Sequence, residues 1–173
     1  MKRRKSMENP LDIIFARRSI RKYEEKEVSE EKITMLLKAG MAAPSSRDRK
    51  PWHFVVVKDK DRLVELSKVH PYADMLPGAG CAIAVCGDTR ISPDYWTQDC
   101  SAVTENILIA AAGLGLGAVW LGVHPREERE SAIKKVLGIP EHIGVLSLIS
   151  IGYPAETKPP RTQYDPERVH RER

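Results

Sequence analysis

The stretch that most limits how this chain can fold is Trp96–Leu116. Ala102, Val103, Ile107, Leu108, Ile109, Ala110, Ala111 and Ala112 give it a helical pattern that is apolar on nearly every side. Such a helix must be enclosed, either within its own chain or against a second molecule. Two further runs read as apolar strands: Cys81–Cys86 (CAIAVC), a continuous run of strand length that suggests cover on both faces, and Gly144–Tyr153 (GVLSLISIGY), with β-branched residues. All three are elements to be buried. The 173 residues, 42% hydrophobic, suffice for one domain with a sizeable and mainly aliphatic core.

The remaining segments alternate between helix and strand. Asn9-Pro10 reads as N-cap and first residue of a short helix, Leu11–Ala16. Ser29 caps a second helix that runs to about Ala43. Pro44 to Pro51 is a loop closed by proline at both ends. Trp52–Val57 and Ala118–Leu121 are strands, and Asp59–Val69 and Pro125–Leu137 are helices. The class is therefore α+β or α/β in one domain. The termini differ in character. Residues 1–8 carry four basic side chains and read as a disordered tail, residues 9–154 form the domain, and residues 155–173 form an extended polar arm. That arm and Pro154 before it hold four prolines. It cannot pack a core of its own and must lie on another surface.

Composition excludes several classes. The three cysteines, Cys81, Cys86 and Cys100, lack zinc spacing and any Cys-x-x-Cys; Cys81 and Cys86, inside an apolar run, read as buried free thiols in a reducing compartment, with a catalytic thiol the lesser reading. No apolar run reaches membrane-spanning length, and no apolar signal core follows the basic start, so the expectation is a cytoplasmic protein without a membrane partner. The net charge of +4 gathers at the ends without a helix-turn-helix, zinc finger or stacking aromatics, which argues against nucleic acid. Gly113-x-Gly115-x-Gly117 follows a helix and precedes a strand, the reverse of a dinucleotide fingerprint. His53, His70, His124, His142 and His170 show no metal spacing and read as structural or surface residues. Ser45 and Ser46 lack the glycines of a nucleophile elbow.

What remains is a set of anion-binding groups. Arg17-Arg18-Ser19-Ile20-Arg21 places three guanidiniums and a hydroxyl within five residues and no carboxylate among them. The guanidinium fork fits paired phosphate oxygens. Arg161 is a second basic point, and Pro44-Ser45-Ser46 a small-residue loop between the two. Anion-binding groups without an acid–base or nucleophile constellation suit a bound cofactor that brings its own reactivity.

Four motifs then carry a resemblance over most of the chain: Arg17-Arg18-Ser19-Ile20-Arg21-Lys22-Tyr23; Ala43-Pro44-Ser45-Ser46 with Pro51-Trp52-His53-Phe54; Gly113 to Gly122 (GLGLGAVWLG); and Ile151-Gly152-Tyr153-Pro154. In this order and rough spacing the sequence resembles the nitroreductase family of flavoproteins. The resemblance implies an α+β sandwich with a central mixed sheet flanked by helices, intertwined as a homodimer with one FMN in each of two interfacial sites. It implies FMN reduction by NADH or NADPH and delivery of electrons to a nitro compound, quinone or flavin in a ping-pong cycle. By the same resemblance Arg17, Arg18, Ser19, Arg21 and Arg161 would hold the FMN phosphate, ribityl chain and pyrimidine edge. Pro44, Ser45, Ser46 and Asp48 would approach the ring from the partner, and Leu121 and Gly122 would offer backbone donors near N5 and O4. The C-terminal arm would wrap the partner subunit. The chain departs from the family at Asp48 and Lys50, where Asn and Gln are usual. The segment between Tyr72 and Thr97 leaves little room for a lid, which implies an open pocket tolerant of many acceptors. A flavin-binding redox sensor or flavin store without turnover is the alternative that the residues leave open.

Overall fold

The alternation of helix and strand resolves into a four-stranded sheet clad on both faces by helices. The computed structural model of the protein describes residues 11–172, so the expected tail, the Asn9 cap and Pro10 lie outside the described residues. In chain order the elements are α1 (Leu11–Ala16), α2 (Glu30–Met41), β1 (Trp52–Val57), α3 (Lys60–Val69), β2 (Cys81–Asp88), α4 (Trp96–Gly113), β3 (Gly117–Gly122), α5 (Glu127–Leu137) and β4 (Ile143–Gly152). Ser29 caps α2 by accepting the Lys32 N–H, and Asp59 caps α3 by accepting the Arg62 N–H.

The strands lie in the order β1-β2-β4-β3, and all three pairings are antiparallel. The parallel component expected of a mixed sheet is one bridge, Ser19 to Ala118, on the outer side of β3. The two apolar runs form the central strands, β2 and β4, and every residue in them is buried. Side chains alternate across the sheet. Cys81, Ile83 and Val85 enter one core with Ile33 and Leu36 of α2 and Val103, Ile107 and Ala111 of α4. Ala82, Ala84 and Cys86 enter the other with Leu63 and Leu66 of α3 and Ile133 of α5.

Helix α4 is thus largely wrapped by its own chain. Its neighbour α1 is not: none of its residues is buried, and Ile14 and Phe15 are 48% and 38% exposed. Met35 and Met41 of α2 are exposed as well. No helix among the described residues is long and apolar enough to cross a membrane.

Candidate functional site

The basic segment leaves α1 and runs along the free edge of β3. Ile20 N–H donates to the Ala118 carbonyl at 3.0 Å, and the buried Ile20 side chain fixes the segment from below. The Tyr23 hydroxyl donates to the carbonyls of Ile20 (2.8 Å) and Ser150 (3.2 Å), and burial pushes its pKa up to about 12. The polar arm comes back over the same segment. Ala155 N–H donates to Lys22 O (2.8 Å), Arg21 N–H to Glu156 Oε1 (2.6 Å), Lys158 Nζ to Ser19 O (2.5 Å), and Arg161 N–H to Phe15 O (3.1 Å). Arg18 Nη1 donates to the Pro159 carbonyl. The arm therefore begins on its own chain, and residues 162–172 beyond it are almost wholly exposed.

Between segment and arm lies a cavity of about 220 Å³. Arg17, Arg18 and Lys158 supply three cations around it and Glu156 one carboxylate, over a floor that includes Leu108 and Leu116. Glu105 of α4 contacts Arg17 Nε at 3.1 Å and orients that guanidinium. Ser19 and Arg21 belong to the segment but not to the wall. Arg161 is anchored beside it by its backbone, with its side chain exposed.

The second expected group stands elsewhere. Ser46 N–H donates to Asp99 Oδ1 at 2.8 Å, and Asp99 Oδ2 accepts the Ser92 hydroxyl at 3.0 Å. The buried Asp99 thus pins the Pro44–Pro51 loop to the first turn of α4. Leu108 and Ala112, which touch the cavity, lie roughly 14 and 20 Å farther along that helix. Within one chain, Pro44, Ser45, Ser46 and Asp48 do not reach the cavity. The loop is strained: Arg47, Asp48 and Lys50 hold φ of 53°, 56° and 49°, left-handed values that side chains with a Cβ avoid. Lys50 Nζ meets Asp48 Oδ2 at 2.7 Å, so the two departures from the expected pattern engage each other.

The third expected group divides. Ala118 turns its carbonyl to Ile20 and Gly122 turns its own to His70 and Arg129, away from β4. By strand alternation Ala118, Trp120 and Gly122 present their backbone to the free edge, and Gly117, Val119 and Leu121 bond to β4. Gly122 is therefore an edge donor with open space over it, while Leu121 is committed to the ladder and buried.

A family model, described as the Nitroreductase family, matches residues 14–73 and 64–153. The chain belongs to the nitroreductase family. An Archaeoglobus fulgidus relative named "Putative NADH dehydrogenase/NAD(P)H nitroreductase" is 49% identical, covering 96% of this chain and 99% of its own. A solved structure of the same name from Bacteroides thetaiotaomicron is 47% identical with a TM-score of 0.91, over 94% of this chain and 96% of that chain. An FMN-dependent nitroreductase from Clostridium difficile is 35% identical with a TM-score of 0.88, over 93% and 98% of the two chains.

Of the residues that build the candidate site, Asp99, Glu105, Glu156 and Lys158 drew no reading from the sequence, and Tyr23 entered only as the end of the first motif. Their partners are distant in the chain, or they lie in runs that look like ordinary surface. Lys158, two positions before Pro160-Arg161, and Tyr23, two positions after Arg21, stood beside residues already singled out.

Proposed function

We propose that this protein is an FMN-dependent oxidoreductase that takes electrons from NAD(P)H and passes them to nitroaromatics, quinones or similar acceptors by a ping-pong cycle. The observation that carries the reading is the cavity on the free edge of β3, lined by three cations and one carboxylate. Arg17 is paired to Glu105, outside the wall, and Lys158 to Glu156, so that Arg18 is the cation left without a carboxylate partner among the described residues. That donor set suits a phosphate dianion, and the guanidinium forks suit its paired oxygens. At about 220 Å³ the cavity falls below the ~300–1,000 Å³ of ordinary ligand sites, so it suits the phosphate end and not a whole flavin. Gly122 lies four residues beyond Ala118 on the same edge, roughly 14 Å away, where a ring could lie along the strand.

Bound FMN would supply a ring that accepts a hydride and returns electrons in a second half-reaction. The chain's own residues do the rest. Arg17, Arg18 and Lys158 bind the phosphate, with Ser19, Arg21 and Arg161 flanking it. Gly122 offers a backbone N–H at the far end of the edge. The Pro44–Asp48 loop of a second copy covers the ring, the loop of the same chain being tied to Asp99 and absent from the wall of the phosphate cavity. The exposed Ile14, Phe15, Met35 and Met41 suit burial against that copy, and the exposed arm from Thr162 onward suits wrapping it. The segment from Tyr72 to Thr97 is taken up by a single-turn 3₁₀ helix, β2 and a short connection, which leaves no lid and supports broad acceptor tolerance.

An absorption spectrum taken anaerobically, before and after NADH and then NADPH, tests the reading. Visible flavin bands that bleach are expected. Bands that persist would leave the alternative, a flavin-binding sensor or store without turnover. A protein that stays colourless after FMN is added overturns the cofactor assignment.

A further inference from the structure

Three elements converge on one carbonyl at the exposed end of β3. His70, at the end of α3 and only 1% exposed, points Nε2 at the Gly122 oxygen at 3.0 Å. The Tyr72 N–H donates to His70 Nδ1 at 3.2 Å, which leaves the ring's hydrogen on Nε2, aimed at that oxygen. Arg129 of α5 donates to the same oxygen through Nη1 at 2.5 Å. The Tyr72 ring packs edge-on against His70, and the Arg129 guanidinium lies 5.9 Å from its centroid.

A carbonyl that ends an exposed edge strand is ordinarily served by water. Here it receives a buried imidazole and a guanidinium together, and among the described residues Arg129 has no carboxylate in an ion pair to offset its charge. The face of Gly122 where a Cβ would stand is empty, with no atom beyond its chain neighbours within 4 Å. The carbonyl of this residue is thus held by two donors, while the face above it is open to a ligand.

We propose that His70 and Arg129 are positioning residues of the reaction centre, holding Gly122 against the isoalloxazine ring and setting a positive charge beside it. The inference rests on the FMN reading above. Its physical content is electrostatic as well as steric. Two-electron reduction adds negative charge to the ring, and a fixed cation one residue away favours that form.

The test compares the midpoint potential of the bound flavin in wild type, Arg129→Gln and Arg129→Lys, with FMN content and melting temperature recorded alongside. Arg129 is only half-buried, so R129Q is expected to fold and to retain FMN. Its ratio of reduced to oxidised flavin at fixed potential should fall about tenfold, a shift of ~30 mV for a two-electron couple. R129K keeps the charge and should recover most of the shift. His70→Asn, which can still donate, should hold the wild-type potential better than His70→Phe. If R129Q has the wild-type potential while carrying full FMN, the clamp is structural only and the inference is overturned. A wild type that holds no FMN overturns the cofactor reading and this one together, an outcome distinct from failure of the clamp alone.

Discussion

Gly117 decides whether the basic segment, Arg17–Arg21, can sit where it does. A Cβ added there would lie 2.6 Å from Ile20 Cγ2 and 2.8 Å from Ile20 Cβ, closer than carbon atoms approach. The Ile20 side chain is buried and cannot swing aside freely, so the strain falls on the Ile20–Ala118 hydrogen bond and on Arg17 and Arg18 beyond it. Gly117→Ala is therefore expected to destabilise the fold by about 1–3 kcal/mol, the usual range for overpacking. It should also lower FMN retention more than its stability loss accounts for. Urea midpoint and flavin-to-protein ratio, measured on the same preparation, check both. A variant as stable and as yellow as wild type would show that this contact does not position the segment.

At the scale of elements, β2 and α4 hold their thiols out of water. Cys81 and Cys86 of β2 and Cys100 of α4 are buried, and desolvation pushes each up to about 12 from an ordinary value of 9.0. Tyr23 moves the same way, from 10.0 to about 12. A group whose pKa is raised on folding keeps its proton in the native state after the unfolded chain has lost it. Stability from these groups is whole below pH 9.0 and is lost as pH rises toward about 12. The urea midpoint should accordingly hold between pH 7 and 8 and fall steadily from about 9 upward. The thiols should react with a labelling reagent only as the chain unfolds, and rapid labelling of the native protein at pH 8 would contradict the packing. These elements were legible because CAIAVC, GVLSLISIGY and the α4 pattern announce themselves by period and length. Their ends were less so. Strand β2 runs on to Asp88 because Trp96 packs over Gly87 and Asp88 N–H bonds to Pro51 O, contacts that local pattern does not contain. Helix α5 starts at Glu127 and not Pro125 because Arg126 is extended. The same limit applies to the site. Arg17 and Arg18 stand out by charge alone, whereas Asp99 meets Ser46 across 53 positions and Glu156 meets Arg21 across 135.

For the whole molecule, the separation of cavity and loop along α4 has a consequence that can be counted. If each site takes its phosphate grip from one copy and its Pro44–Asp48 loop from the other, two different defects can complement. One variant, Arg17→Ala with Arg18→Ala, spoils the grip. The other, Ser46→Pro, removes the N–H that Asp99 holds and so displaces the loop. Each homodimer alone has both sites damaged and should purify nearly colourless. Co-expressed in equal amounts, the chains form mixed dimers about half the time, and each mixed dimer has one intact site and one doubly damaged. About a quarter of the wild-type flavin content and NADH-dependent activity should return. Tandem purification on two different tags should raise that to about half by discarding the homodimers. A mixed preparation that stays as colourless as its parents would place each site within a single chain. The exposed apolar residues of α1 and α2 would then need another partner.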